Sequence, residues 1–332
     1  MLNFRGKNFL KETDFDQNEI ETLIDFAEKL KMKEKHNIPQ KFMNGKNIAL
    51  IFEKQSTRTR AAFTVAANKL GATVEYLNRN DIQFGGKESV EDTAKVLGSM
   101  FDGIAFRGSE QSTVEALGEH ADIPVWNALT DEWHPTQMLA DFLTIQEHFG
   151  TYKGKTVTFV GDGRNNVAHS LLVTGAILGI NIHIVAPETL QPELSVQKTV
   201  KEIQEKSGGT SLITSDVEKG IEDSDVIYTD VWCSMGEEEQ LAERYNLLRQ
   251  YQVNQEMIDL TKKPNTIFLH CLPAIHDTNT NVGQLAYEKF GEVGLEVTDE
   301  VFRAEYSKVF EQAENRMHSI KSLLAATCGE VF

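Results

Sequence analysis

NIALIFEKQSTRTR, residues 47–60, carries the reading of the fold. Residues 47–52 are a short apolar run, too short for a helix and suited to a strand buried on both faces of a parallel sheet. A polar turn follows. AAFTVAANKLGA, residues 61–72, then reads as an alanine-rich helix ended by Gly71. Strand, turn and helix make the first part of a βαβ unit. Working outward, strands are expected at 73–77, 103–106 and 124–127, and helices at 18–33, 89–100 and 112–120. Residues 135–149 read as one long helix with Pro135 in its first turn. GTYKGK, residues 150–155, reads as a turn and a domain boundary. The alternation restarts with a strand at 156–160, the turn GDGRNN at 161–166 and a helix at 169–178. Strands at 181–185, 226–229 and 266–269 and a helix at 310–327 complete the chain.

The expected fold class is therefore α/β: two domains, each a parallel sheet flanked by helices. The first spans 1–150 and is completed by the C-terminal helix, about 315–332; the second spans 151–314. A length of 332 residues suits two domains of ordinary size.

Lys and Arg number 33 against 50 Asp and Glu, a net charge of −17. Such a surface disfavours non-specific binding to nucleic acid or anionic membranes. It does not exclude an anionic substrate, because a few local arginines can override the global field in one cleft. MLNFRGKNFLKETDF is charged throughout, unlike a signal peptide. No run approaches the roughly 20 apolar residues of a membrane span. Cys233, Cys271 and Cys328 lack metal-ligand spacing. The expectation is a cytoplasmic protein with no metal and no cofactor.

Ligands of open parallel sheets lie outside the carboxyl ends of the strands. Five segments fall there. Ser56-Thr57-Arg58-Thr59-Arg60 combines hydroxyls, two arginines and a helix N-terminus, a set suited to phosphate or carboxylate. Its bland alternative is a polar capping turn. Phe106-Arg107-Gly108 closes a buried strand on an arginine, which a carboxylate could equally pair. His134-Pro135-Thr136-Gln137 opens the long helix; a neutral imidazole there can donate to a carbonyl oxygen, although a lone histidine is more often structural. DVWCSMG, residues 230–236, places Asp230 where it can hold an ammonium group or cap a helix. His270-Cys271-Leu272-Pro273 offers a thiol and carbonyls to an amine, or is a buried turn. GDGRNN lacks the third glycine of a dinucleotide fingerprint, so a dehydrogenase or a two-lobed binding protein is the weaker reading.

STRTR, FRG, HPTQ, DVWxSMG and HCLP, in that order, resemble the aspartate/ornithine transcarbamoylase superfamily, most closely its ornithine-using members. The match extends to ENRMH at 314–318 and so covers nearly the whole chain. STRTR and HPTQ are shared across the superfamily; HCLP and DVWxSMG are more specific. Relatives that use putrescine or N-acetylornithine differ in the second half.

The resemblance implies an enzyme that transfers the carbamoyl group of carbamoyl phosphate to the δ-amine of ornithine, giving citrulline and phosphate. It implies that carbamoyl phosphate meets Ser56, Thr57, Arg58, Thr59, Arg107, His134, Pro135, Thr136 and Gln137, with Cys271, Leu272 and Arg316. Arg58, Arg107, His134, Asp230 and Cys271 are the residues implied in catalysis. Ornithine is expected on Asn166, Asp230, Ser234 and Met235. Gln83, in DIQFGGKES, resembles the residue that reaches into a neighbouring subunit's site, which implies a homotrimer or a multimer of trimers. Arg58, Arg60, Arg107 and Arg316 are expected to converge on the leaving phosphate.

Overall fold

The computed structural model describes residues 3–78, 82, 87–233 and 240–331. The chain divides into two compact units, Met1–His148 with Glu314–Phe332, and Phe149–Ala313. No described helix is long and apolar enough to cross a membrane.

The first unit opens with α1, Gln17–Lys35, started by Asp16, whose side chain accepts from the Glu19 amide. The helix buries Ile20, Leu23, Ile24, Ala27 and Leu30 on one face, and with them Lys31. There follow β1 (Asn47–Phe52), α2 (Arg58–Leu70), β2 (Thr73–Asn78) and α3 (Val90–Gly98). Then come β3 (Gly103–Arg107), α4 (Gln111–His120), β4 (Val125–Leu129) and α5 (Pro135–Phe149). The four strands are parallel, in the order β2-β1-β3-β4. The chain thus leaves β1 toward one edge and returns to build the other. That reversal opens a crevice beyond the carboxyl ends of β1 and β3. Phe52 and Arg107 are paired across it.

The second unit holds β5 (Thr156–Val160), α6 (Asn166–Leu178), β6 (Asn181–Val185), α7 (Leu194–Ser207), β7 (Thr210–Thr214) and α8 (Val217–Ile221). It continues with β8 (Val226–Thr229), α9 (Leu241–Leu248), α10 (Gln255–Asp259), β9 (Ile267–His270), α11 (Asn281–Phe290) and α12 (Asp299–Arg303). Helix α13 (Val309–Cys328) starts here and runs on into the first unit. This sheet is also parallel, in the order β7-β6-β5-β8-β9, so its reversal lies between β5 and β8.

Three features depart from expectation. Helix α2 begins at Arg58, not after Arg60, because the Ser56 hydroxyl accepts from the Thr59 amide at 3.2 Å and starts the helix early. Helix α6 begins at Asn166, because the Asn165 side chain accepts from the Ala168 amide at 2.7 Å and supplies the cap. Strand β7 and helices α7, α8 and α10 to α12 were not expected. β7 is a largely polar edge strand with no fully buried residue, and α7 buries only Val196 and Val200, so neither shows a strong hydrophobic period.

Close packing explains the glycine that opens β3. A Cβ on Gly103 would stand 2.2 Å from the Trp126 ring. Trp126 is fully buried, and its indole N–H donates to Thr327 Oγ1 of α13 at 2.9 Å. Thr327→Val leaves that N–H buried without its acceptor. The change should cost about 1–3 kcal/mol, seen as a lower urea midpoint at unchanged slope; an unchanged midpoint would show that the bond contributes nothing.

Candidate active site

In the first unit the crevice gathers the arginines. Thr57 stands before α2 without making a side-chain cap, and Arg58 is the first helical residue. Thr59 is buried, and its hydroxyl oxygen accepts from Arg107 Nη1 at 3.4 Å and from Arg316 Nη2 at 3.4 Å. Arg316 Nη1 also donates to Gln137 Oε1 and lies 3.5 Å from His134 Nε2. Gln137 Nε2 donates to Asp141 Oδ1 at 2.7 Å, which fixes the amide so that its oxygen faces Arg316. Arg316, His134 and Gln137 are all buried, and Pro135 and Thr136 are buried beside them at the start of α5.

These contacts set the state of His134. A guanidinium only donates, so Nε2 accepts and the ring proton sits on Nδ1. Burial pushes the imidazole well below its ordinary range, and Arg316, Arg107 and Arg58 push it further the same way. His134 is therefore a neutral donor among three cations. Such a cluster suits a doubly charged anion bonded to a polar carbonyl group.

One sequence reading changes here. The Arg60 guanidinium lies 3.6 Å over the Tyr76 ring on an exposed face, so Arg60 is stacked and not gathered with the other arginines. Gly108 is closely packed: an added Cβ would meet Glu53 Oε2 and Phe106 Cζ, each at 2.3 Å. Gln83, Ser234 and Met235 lie outside the described residues.

In the second unit, β5 and β8 bring GDGRNN beside Asp230. Asn165 Nδ2 donates to Asp230 Oδ2 at 3.1 Å. Asp230 Oδ1 accepts from the Val231 amide at 2.8 Å and the Cys271 thiol at 3.1 Å. Asn166, in the first turn of α6, is the next residue along. Burial pushes the Asp230 carboxyl up; His270, Cys271 and the Val231 amide oppose that, and Glu296 adds to it. An ammonium group arriving at Asp230 would reverse the effect of burial.

The turn after β9 is held by groups that local spacing does not reveal. Leu272 takes a left-handed φ of +59°, costing a residue with a Cβ about 1–2 kcal/mol. Its amide donates to His270 Nδ1 at 2.9 Å, so the ring proton is on Nε2, 3.3 Å from Glu296 Oε1. Glu296 is fully buried and also accepts from the Ile275 amide at 2.6 Å. Glu296 is remote in sequence and carries no local signal. Asp141, four residues after Gln137 on one helix, was legible by spacing and was missed. Arg244, which binds Asp162 at 2.5 Å, was missed as well.

Among the described residues, two groups bring possible metal ligands within 4.8 Å of one another: Asp230 with His270 and Cys271, and His276 with Asp277 and Asp299. In the first, both nitrogens of His270 are already engaged, so its lone pair does not face an ion. In the second, Arg303 binds both carboxylates.

The state of His134 has a consequence for stability. Its folded pKa lies below the ordinary 6.5, so on acidification the unfolded chain takes the proton first. The residue's contribution is complete above about pH 6.5 and is lost as pH falls below it. Between pH 7.5 and 5.5, urea unfolding of His134→Asn should lose about 1 kcal/mol less than the parent protein; an equal loss in both would mean that His134 takes up a proton in the fold as readily as in the unfolded chain.

Comparison with known proteins places the chain in a family. Residues 7–147 match the aspartate/ornithine carbamoyltransferase carbamoyl-P binding domain, and residues 153–327 match the aspartate/ornithine carbamoyltransferase Asp/Orn binding domain. A catabolic ornithine carbamoyltransferase of Staphylococcus aureus (strain N315) is 59% identical over 98% of this chain and 97% of its own. The ornithine carbamoyltransferase of Pyrococcus furiosus superposes with a TM-score of 0.90 at 40% identity over 100% of both chains. An anabolic ornithine carbamoyltransferase of Campylobacter jejuni gives 0.84 at 34% identity, over 96% of this chain and 97% of the other. With both domain descriptions and a near full-length relative matched, the chain belongs to the aspartate/ornithine carbamoyltransferase family.

Proposed function

We propose that this protein is an ornithine carbamoyltransferase, transferring the carbamoyl group of carbamoyl phosphate to the δ-amine of L-ornithine with release of phosphate and citrulline. The observation that carries the reading is the buried cluster of Thr59, His134, Gln137 and Arg316 with Arg107, in which the imidazole is neutral among guanidinium groups. The full-length likeness to ornithine enzymes supports the same substrate pair.

In this reading the phosphate sits at the N-terminus of α2, among Ser56, Thr57, Arg58 and Thr59, with Arg107. Negative charge grows on it as the C–O bond breaks, and the arginines and the helix dipole meet that charge. The carbonyl oxygen gains charge as the amine adds. His134, Thr59, Arg107 and Arg316 supply its donors, and Gln137, turned by Asp141, holds Arg316 in place. Pro135 and Thr136 shape the wall beside them.

Ornithine lies against Asn166 and Asp230, with Ser234 and Met235. Its δ-amine has a free pKa near 10, so it arrives mostly protonated. The Asp230 carboxylate receives that ammonium, and Cys271, already donating to Asp230, and Leu272 orient the nitrogen toward the carbamoyl carbon. The ammonium gives one proton to solvent before its nitrogen can attack, and the leaving phosphate takes the second as the C–N bond forms and the C–O bond breaks. Proximity then supplies much of the barrier reduction.

The direction we infer is citrulline phosphorolysis in arginine breakdown, because the 59% identical relative bears the catabolic name while the anabolic structure is 34% identical. The assembly we infer is a homotrimer, or a multimer of trimers, in which Gln83 completes a neighbouring copy's site. Cys233, Cys271 and Cys328 form no disulfide, which suits a reducing cytoplasm.

The test is citrulline formation from carbamoyl phosphate and ornithine, beside a panel with putrescine and N-acetylornithine. Ornithine should be preferred, and Arg58→Gly should abolish detectable binding of carbamoyl phosphate. Truncating His134 to Ala, which removes one donor to the oxyanion, should lower kcat by about 10²–10³-fold. A folded protein that turns over none of these amines would remove the assignment. Normal carbamoyl phosphate affinity in Arg58→Gly would move the phosphate elsewhere.

A further inference from the structure

One buried polar cluster of the first unit takes no part in the chemistry above. Lys31, on α1, is 6% exposed although it lies on the apolar face of that helix. Its ammonium donates to Asn315 Oδ1 at 2.7 Å and to Glu147 Oε2 at 2.9 Å. Asn315, on α13, is fully buried. Its Nδ2 donates to Thr144 Oγ1 at 2.9 Å and to Glu147 Oε2 at 2.8 Å. Four polar side chains thus tie α1, α5 and α13 together. Burying an ammonium and an amide where apolar packing would serve is costly unless their geometry is used.

The next residue of α13 is Arg316. Successive helix positions diverge by about 100°, so Asn315 and Arg316 face different neighbours from adjacent places on one helix. Asn315 meets the C-terminal half of α5, at Thr144 and Glu147; Arg316 meets its first turn, at Gln137, and Thr59 of α2. Gln137, Asp141 and Thr144 follow one another at helical spacing along one face of α5, all buried. Together the two sets of contacts fix both the rotation and the height of α13 against α5. A guanidinium about 8 Å from a helix axis moves by about 1 Å when the helix turns by roughly 10°. A misplacement of that size can cost about a hundredfold in rate.

We propose that Lys31, with Asn315 and Glu147, is a positioning device for Arg316: it sets the rotation of α13 so that the guanidinium stands on Thr59 and Gln137 before the substrate binds. The proposal rests on the reading that Arg316 serves carbamoyl phosphate. Lys31 and Asn315 touch no substrate; they act through the arginine.

A double-mutant cycle tests this on the full-length protein, with kcat and both KM values read for the parent, Lys31→Met, Arg316→Met and the double variant. Lys31→Met should raise the KM for carbamoyl phosphate or lower kcat so that kcat/KM falls roughly 10–100-fold, with the KM for ornithine within about twofold. Lys31→Arg, which keeps charge and donors, should recover most of that loss. In the Arg316→Met background, Lys31→Met should cost less than about twofold, because the group it positions is gone. Thr144→Val, which removes one acceptor and keeps the shape, serves the same cycle if Lys31→Met does not fold. Losses that add in full, or a Lys31→Met enzyme with unchanged kcat/KM, would overturn the positioning role while leaving the activity assignment intact. A parent protein without carbamoyl transfer would overturn the assignment itself, and this proposal with it.

Discussion

Each sheet changes its direction of growth once, and the chemistry depends on where. In the first unit the reversal lies between β1 and β3, in the second between β5 and β8. At such a point the connections leave a strand pair in opposite directions and cannot cover its carboxyl end. The turns that follow those strands supply the candidate site: Ser56 to Thr59 after β1, Arg107 closing β3, Asn165 and Asn166 after β5, Asp230 after β8. Parallel pairing sets the register that puts Phe52 beside Arg107 and Val160 beside Thr229. Without that register the motifs would be separate polar turns.

The two crevices are charged in opposite senses. In the first, Arg107 and Arg316 share the hydroxyl of one buried threonine, and burial, reinforced by their charges, keeps His134 neutral. Arranging cations around neutral donors in a low-dielectric site makes each contact with an arriving dianion stronger than in water. The imidazole gains from the same arrangement: it can donate to an oxyanion without carrying a proton that solution pH could remove. In the second, a half-buried carboxylate is held by a thiol, an amide and an asparagine, a set that an ammonium group completes. A net charge of −17 does not conflict with this, because the acidic excess concerns the surface as a whole and the arginines act locally.

The central strands were legible because they are short apolar runs bounded by turns, and residues 47–52 and 156–160 were expected with the bounds the structure gives them. The C-terminal helix was legible as well. What escaped was structure whose stability comes from one thin contact stripe, such as α7, or from an edge position, such as β7. Helix starts were misread by three residues at α2 and α6, because Ser56 and Asn165 supply the first turn's hydrogen bonds and are visible as caps only in three dimensions. At the site, the residue types were readable and their partners were not. Arg60 sits in the same motif as Arg58 yet stacks on Tyr76. Glu296 and Lys31 hold their parts of the fold from far along the chain, and no local spacing announces either.

The proposed site for carbamoyl phosphate lies at the N-terminus of α2 and the first turn of α5. Amide hydrogen exchange of the full-length protein, with and without saturating carbamoyl phosphate, reports on it directly. Slower exchange should appear in the peptides spanning 56–62, 107–109 and 134–138 and around Arg316. Saturating carbamoyl phosphate that leaves those peptides unchanged, or protects a different set of strand ends, would contradict the placement of the site.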